Sequence, residues 1–163
     1  MGGGFRRDRE SHATRYSQDG GSSTANRTIT SYGKTMKPRV FISFHVEDEA
    51  QVDLLRSQAK DPRFPVEFTD YSVKEPFDEK WKTQCTERIR QSSALVVMIG
   101  QETASREAVL WEINKAYELG KPVIGVRIYR DENHRVPQPL KDHGARVIPW
   151  NTAKLQVWLE EQG

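Results

Sequence analysis

The chain has 163 residues, 36% hydrophobic and 29% charged, which suits one compact domain carrying additional, weakly hydrophobic sequence. Its net charge of +2 comes from residues 1–37, with seven Lys/Arg against three Asp/Glu, whereas the remainder carries eighteen against twenty; a basic excess without aromatic or basic periodicity argues against a nucleic-acid partner. The single cysteine, Cys85, excludes an internal disulfide, no Cys/His spacing fits a metal site, and no apolar run nears the roughly 20 residues of a membrane span, so a cytoplasmic protein with neither metal nor membrane partner is expected.

Residues 1–37 are rich in Gly, Ser, Thr, Arg and Asn, with Phe5, Tyr16, Ile29 and Tyr32 too scattered to cover a core. A disordered tail is expected there, and Asp8, Glu10 and Asp19 weigh against a transit peptide. After Pro38 the texture changes. Val40, Phe41, Ile42 and Phe44 make the continuous apolar run of a buried parallel strand. Glu47, Asp48 and Glu49 then suit a first helical turn, and Ala50, Leu54, Leu55, Gln58 and Ala59 give the helix its inner face. Pro62 and Pro65 end it, Val66–Phe68 form a second strand, and a loop from Asp70 continues to Pro76.

Phe77, Trp81, Cys85 and Ile89 recur every four residues, which predicts a helix from Phe77 to Gln91 that lays this stripe on the sheet and makes Cys85 a core residue. The run Ala94–Ile99 reads as the central strand. Thr103 or Ser105 caps a third helix through Val109, Ile113 and Ala116, stopped by Gly120 with Pro122 beyond. Val123–Ile128 is a fourth strand, a polar loop with Pro137 and Pro139 follows, Ala145–Ile148 is a fifth strand, and Asn151 caps a last helix bearing Leu155, Trp158 and Leu159. Strands alternating with helices in this way predict an α/β domain over residues 38–163: a flavodoxin-like, three-layer fold with a five-stranded, mainly parallel sheet.

In such sheets ligands sit beyond the carboxyl ends of the strands, which directs attention to Phe44–Glu47, Asp70–Phe77, Gly100–Ser105 and the loop after Ile128. A flavin mononucleotide site needs a Ser/Thr/Gly-rich loop after the first strand, where Phe44-His45-Val46-Glu47-Asp48 stands. A phospho-acceptor receiver needs an Asp after the central strand, where Gly100-Gln101 stands. GxxxxGK[ST] and GxSxG are both absent. Glu112, amid Val109, Ile113 and Ala116, is either the solvated edge of its helix or a carboxylate aimed at the strand ends.

Val40-Phe41-Ile42-Ser43-Phe44 followed by His45 and acids resembles the opening of TIR domains, and Asp70–Phe77 resembles the TIR loop after strand two. Ser92-Ser93 before LVVMIG, then Trp111-Glu112-Ile113, Ala116 and Gly120-Lys121-Pro122-Val123-Ile124-Gly125-Val126 resemble most closely the TIR-like family that includes the nucleotide-signal-producing subunit of the Thoeris anti-phage system. The resemblance spans about Arg39 to Ile148. It implies cleavage of NAD, as substrate and without a further cofactor, between nicotinamide and ribose, with Glu112 as the catalytic carboxylate and a cyclic ADP-ribose-type product. It also implies self-association for activity and a phage-derived activator. Candidate contacts for NAD are Ser43, Phe44, His45, Asp70, Phe77 and Ser105, with Phe44 and Phe77 as an aromatic wall for nicotinamide and His45 on phosphate or ribose. Ala108 stands one turn before Glu112, where many TIR enzymes have an aromatic, and Trp111 faces another way. The alternative is a non-catalytic TIR-like module that binds a protein or a nucleotide without turnover.

Overall fold

The computed structural model describes residues 30–31, 34–35, 37–64, 66–70 and 77–163. Apart from a two-residue antiparallel ladder pairing Thr30–Ser31 with Lys34–Thr35, the tail expected to be disordered lies outside the described residues, as does most of the loop after the second strand.

Five strands form one parallel sheet: β1 (Arg39–Ser43), β2 (Glu67–Asp70), β3 (Ala94–Ile99), β4 (Val123–Arg127) and β5 (Val147–Pro149). Their spatial order is β2-β1-β3-β4-β5 with every neighbour parallel, the flavodoxin-like winding, whose strand order reverses between β1 and β3. All six residues of β3 are buried. Helices cover both faces, so the strand reads as an unbroken apolar run instead of an alternation.

Alternation along the strands sorts the side chains into two cores. Val40, Ile42 and Phe44 join Val96 and Met98 beneath α1 (Glu49–Ala59) and α5 (Thr152–Gln162). Phe41, Leu95, Val97 and Ile99 face α2 (Glu79–Gln91), α3 (Glu107–Glu118) and the short α4 (Gln138–Asp142). Trp81, Cys85 and Ile89 deliver the four-residue stripe expected of α2, and Val109, Ile113 and Ala116 that of α3. Each such aliphatic side chain, fully buried, contributes about 1.5–3 kcal/mol.

Several boundaries differ from the sequence expectation. The inner face of α1 is Val52 and Leu55, while Leu54 is 59% exposed, so the stripe centres on Val52 and Leu55 and not on Leu54. Phe77 precedes α2 and does not open it: the Asp78 side chain accepts from the Trp81 N–H at 2.8 Å as the N-cap. Neither Thr103 nor Ser105 caps α3. They lie in a 3-10 turn, and Arg106 is the N-cap with no side-chain bond; Thr103 Oγ1 instead accepts from Gly100 N at 2.8 Å and faces Met98 O at 3.2 Å. The expected stop at Gly120 is present, with φ +68 and the two bonds Gly120 N to Tyr117 O and Lys121 N to Ala116 O, the paired geometry that favours glycine after a helix. The polar loop with Pro137 and Pro139 contains α4, which ends the same way at Gly144, φ +61. This turn takes Ala145 away from β5. Asn151 caps α5 as expected, accepting from Lys154 N.

Candidate active site

Glu112 is 1% exposed, so it is not the solvated edge of a helix. Its place follows from two periodicities. On α3 it shares the inward face of Val109, Ile113 and Ala116, and on β1 Ser43 lies two residues after Phe41, hence on the same sheet face. The Ser43 hydroxyl donates to Glu112 Oε2, and Cys85 Sγ, one turn beyond Trp81 on α2, donates to Oε1 at 3.8 Å. Three elements thus converge on one carboxyl group at the carboxyl end of β1. Burial pushes the Glu112 pKa up to about 8 against the opposing pull of the Ser43 and Cys85 bonds, so the group is largely a neutral acid at neutral pH. Burial, then the neighbouring Glu112, also raise the Cys85 thiol. That leaves it no nucleophile.

Beside this face lies an aromatic group. Phe77 and Trp81 have ring centroids 4.9 Å apart, Trp81 and Trp111 5.3 Å, and Phe77 and Trp111 6.2 Å, with Lys82 over Phe77 and Lys115 over Trp111. Phe77 therefore finds its aromatic partners in Trp81 and Trp111. Phe44 does not join it, because its odd-numbered offset from Ser43 sends it through the sheet to the core under α1, where Arg56 lies over its ring. The expected wall of Phe44 and Phe77 is not formed.

A separate cleft of about 330 Å³ opens beyond the ends of β1, β3 and β4, at the point where the strand order reverses. His45 lines it together with Asp48, Tyr129 and His134; Glu112 and Ser43 do not. Asp48 is 5% exposed, and it fits only because residue 100 is glycine: a Cβ there would lie 2.3 Å from Asp48 Oδ2. Tyr129 donates to Asp48 Oδ1 at 3.2 Å. Burial raises the Asp48 pKa, while the Tyr129 bond and His45 pull it down.

The sequence-predicted residues therefore fall in different places. Ser43 touches Glu112, His45 belongs to the cleft, and Phe44 lies in the opposite core. Ser105 is exposed, its hydroxyl bonded to Glu102 O. Asp70 pairs in register with Ile42 at the end of β2. Sequence reasoning named neither Tyr129 nor His134; it read Trp81 and Cys85 as core only, Trp111 as facing away from Glu112, and Asp48 as an acid of the first helical turn. The four-residue spacing of Trp81 and Cys85 signalled a shared face, but nothing in it revealed which strand residue that face would meet. Among the described residues no group of three or more His, Cys, Asp or Glu is arranged to hold a metal, and no helix is long and apolar enough to cross a membrane.

No curated protein matches the chain. Among solved structures it is similar to a 3-dehydroquinate dehydratase-like protein from Bifidobacterium longum, with 17% identity, 76% of this chain and 94% of that chain covered, and a TM-score of 0.47. Residues 41–133, more than half of the chain and including Ser43 at the end of β1, Cys85 and Glu112, match the family described as Thoeris protein ThsB, TIR-like domain. With that match laid over a parallel sheet of order β2-β1-β3-β4-β5, the chain belongs to the Thoeris ThsB TIR-like domain family.

Proposed function

We propose that the chain is an NAD-processing enzyme of anti-phage defence that breaks the nicotinamide–ribose bond, with Glu112 as the catalytic carboxylate and a cyclic ADP-ribose-type signal as product. The observation that carries this reading is the Glu112 carboxyl held by Ser43 and Cys85 in a dry place at the end of β1, within the segment that matches the family. As the C–N bond breaks, its electron pair goes to the pyridinium nitrogen and nicotinamide leaves neutral, so no general acid is needed. The ribose is left as an oxocarbenium-like cation. An ionised Glu112 offsets that charge most strongly where water is excluded, and water, or a nucleophile of the adenosine half, completes the reaction with loss of a proton.

Burial and catalysis oppose each other here. The carboxyl is nearly inaccessible and favours its neutral form, so the group has to be uncovered and ionised before it acts, a requirement that fits activity gated by self-association or a phage-derived activator. The cationic ring of NAD itself favours the carboxylate once bound. The test is to follow nicotinamide release by chromatography from the purified chain with NAD, with and without lysate of phage-infected cells. Loss of release by about a hundredfold or more in Glu112→Gln is expected, and survival of NAD consumption and phage protection in that variant would overturn the assignment. One observation favours a second reading, binding without turnover: the cleft at the strand reversal excludes Glu112. Retention of a protein partner by the chain with no nicotinamide release under either condition is the result that would select it.

A further inference from the structure

We propose that the cleft beyond β1, β3 and β4 is a binding site for an organic cation, a primary ammonium or a guanidinium group. Three loops build it. Asp48 comes from the turn after β1, Glu102 from the turn after β3, and Tyr129, Glu132 and His134 from the segment after β4.

With Asp48 ionised, the charge of the cleft has one sign whether the imidazoles are neutral or protonated. Glu102 is balanced by Arg106 at 3.1 Å. That leaves the carboxylates of Glu47, Asp48 and Glu132 against the imidazoles of His45 and His134. With both imidazoles neutral the net charge is negative by three, and with both protonated it is still negative by one. A phosphate or a carboxylate is therefore repelled, which turns the sequence expectation of His45 on phosphate toward a ligand of opposite charge.

The second observation is a buried oxygen without a donor. Asp48 is 5% exposed, and while Tyr129 serves Oδ1, Oδ2 has no hydrogen-bond partner among the described residues. Such an oxygen costs free energy until a donor reaches it, and an N–H carrying positive charge is the strongest donor for it. Glu47 and Glu132 are exposed and lie against His45 and His134, with Nε2 to Oε2 distances of 3.7 and 2.7 Å. Neither contact is aligned as a hydrogen bond, so both carboxylates are placed to turn toward an incoming cation. The Tyr129 ring, edge-on to His134 at 5.4 Å, adds an aromatic surface of the kind organic cations prefer. A volume of about 330 Å³ admits a terminal ammonium or guanidinium with a short aliphatic stem.

The site is tested on the full chain without NAD, so the outcome is separate from that of the enzymatic proposal. Putrescine represents a free amine, and the N-acetyl methylamides of lysine and arginine represent protein side chains; potassium chloride at matched ionic strength, magnesium chloride and adenosine monophosphate are the comparisons. Titration is read by calorimetry and by the imidazole NMR signals of His45 and His134. The expected result is saturable binding of at least one organic cation with movement of both imidazole signals, weakened about tenfold or more in Asp48→Asn. The double variant Glu47→Gln/Glu132→Gln, at exposed positions, is expected to weaken binding severalfold and carries the test if Asp48→Asn fails to fold. Several results would each overturn the proposal: no saturable binding of any organic cation, equal movement with the simple salts, preference for the nucleotide, or unchanged affinity in the folded variants. Whether putrescine or the amino-acid amides bind more tightly identifies the source of the cation.

Discussion

Replacing Glu112 by glutamine removes a carboxyl group that three elements enclose. The unfolded carboxyl titrates near 4.5 and the folded one near 8, so folding favours the neutral acid. Its contribution is whole below about pH 4.5 and is lost as pH rises toward and through about 8. Three and a half pH units at about 1.4 kcal/mol each amount to a loss of about 5 kcal/mol across the full window. About 3 kcal/mol of it falls between pH 5.5 and 8.5. The introduced amide keeps an oxygen for the Ser43 hydroxyl but presents an NH₂ to Cys85, a mismatch that costs stability equally at every pH. The informative quantity is therefore the slope. Urea unfolding of both proteins at a series of pH values isolates it, because every other titrating group cancels in the difference. The variant should gain about 3 kcal/mol on wild type from pH 5.5 to 8.5, and a difference that stays flat within about 0.5 kcal/mol would refute the enclosed, neutral Glu112 from which the enzymatic reading starts.

Two further changes probe the same structure. In Ser43→Ala the carboxylate loses the hydroxyl that helps to hold its pKa down, so the midpoint of the pH-dependent stability loss should move to higher pH, whereas Ser43→Thr, which keeps the donor, should leave it nearly in place; an unchanged midpoint in the alanine variant would show that the hydroxyl does not reach Glu112. Gly120→Ala places a Cβ at φ +68 with no atom in its way, so only backbone strain opposes it, and thermal unfolding should report a loss of about 1–2 kcal/mol.

How the site assembles explains what could be read before folding. The segment Val40–Phe44, the run Ala94–Ile99 and the helix stop at Gly120 are local: their neighbours in sequence are the groups that decide them. The stripe Trp81, Cys85, Ile89 is local too, since a four-residue repeat has one structural meaning in water. Alternation along β1 is legible too, and it already separates Ser43 from Phe44, which naming both as contacts for NAD overlooked. The α1 register failed for a different reason. Leu54 and Leu55 are adjacent and equally apolar, about 100° apart on the helix, so composition alone does not choose between them. A five-residue helix such as α4 lies below the length at which periodicity is visible, and its end is fixed by backbone bonds at Gly144 and not by any apolar pattern.

The sequence by itself determined the alternation of strands with helices, the parity of each strand and the apolar faces of α2 and α3, because these follow from steric periods of two and 3.6 residues and from burial of apolar side chains. Only the tertiary structure decided that Ser43, Cys85 and Glu112 meet, residues separated by up to 69 positions, and that Asp48, Tyr129 and His134 share a second cleft. Contacts of that range depend on which strands become neighbours and how closely helices settle on them. The same packing sets the charge state of the central carboxyl, since burial and not residue type makes an acid neutral at neutral pH.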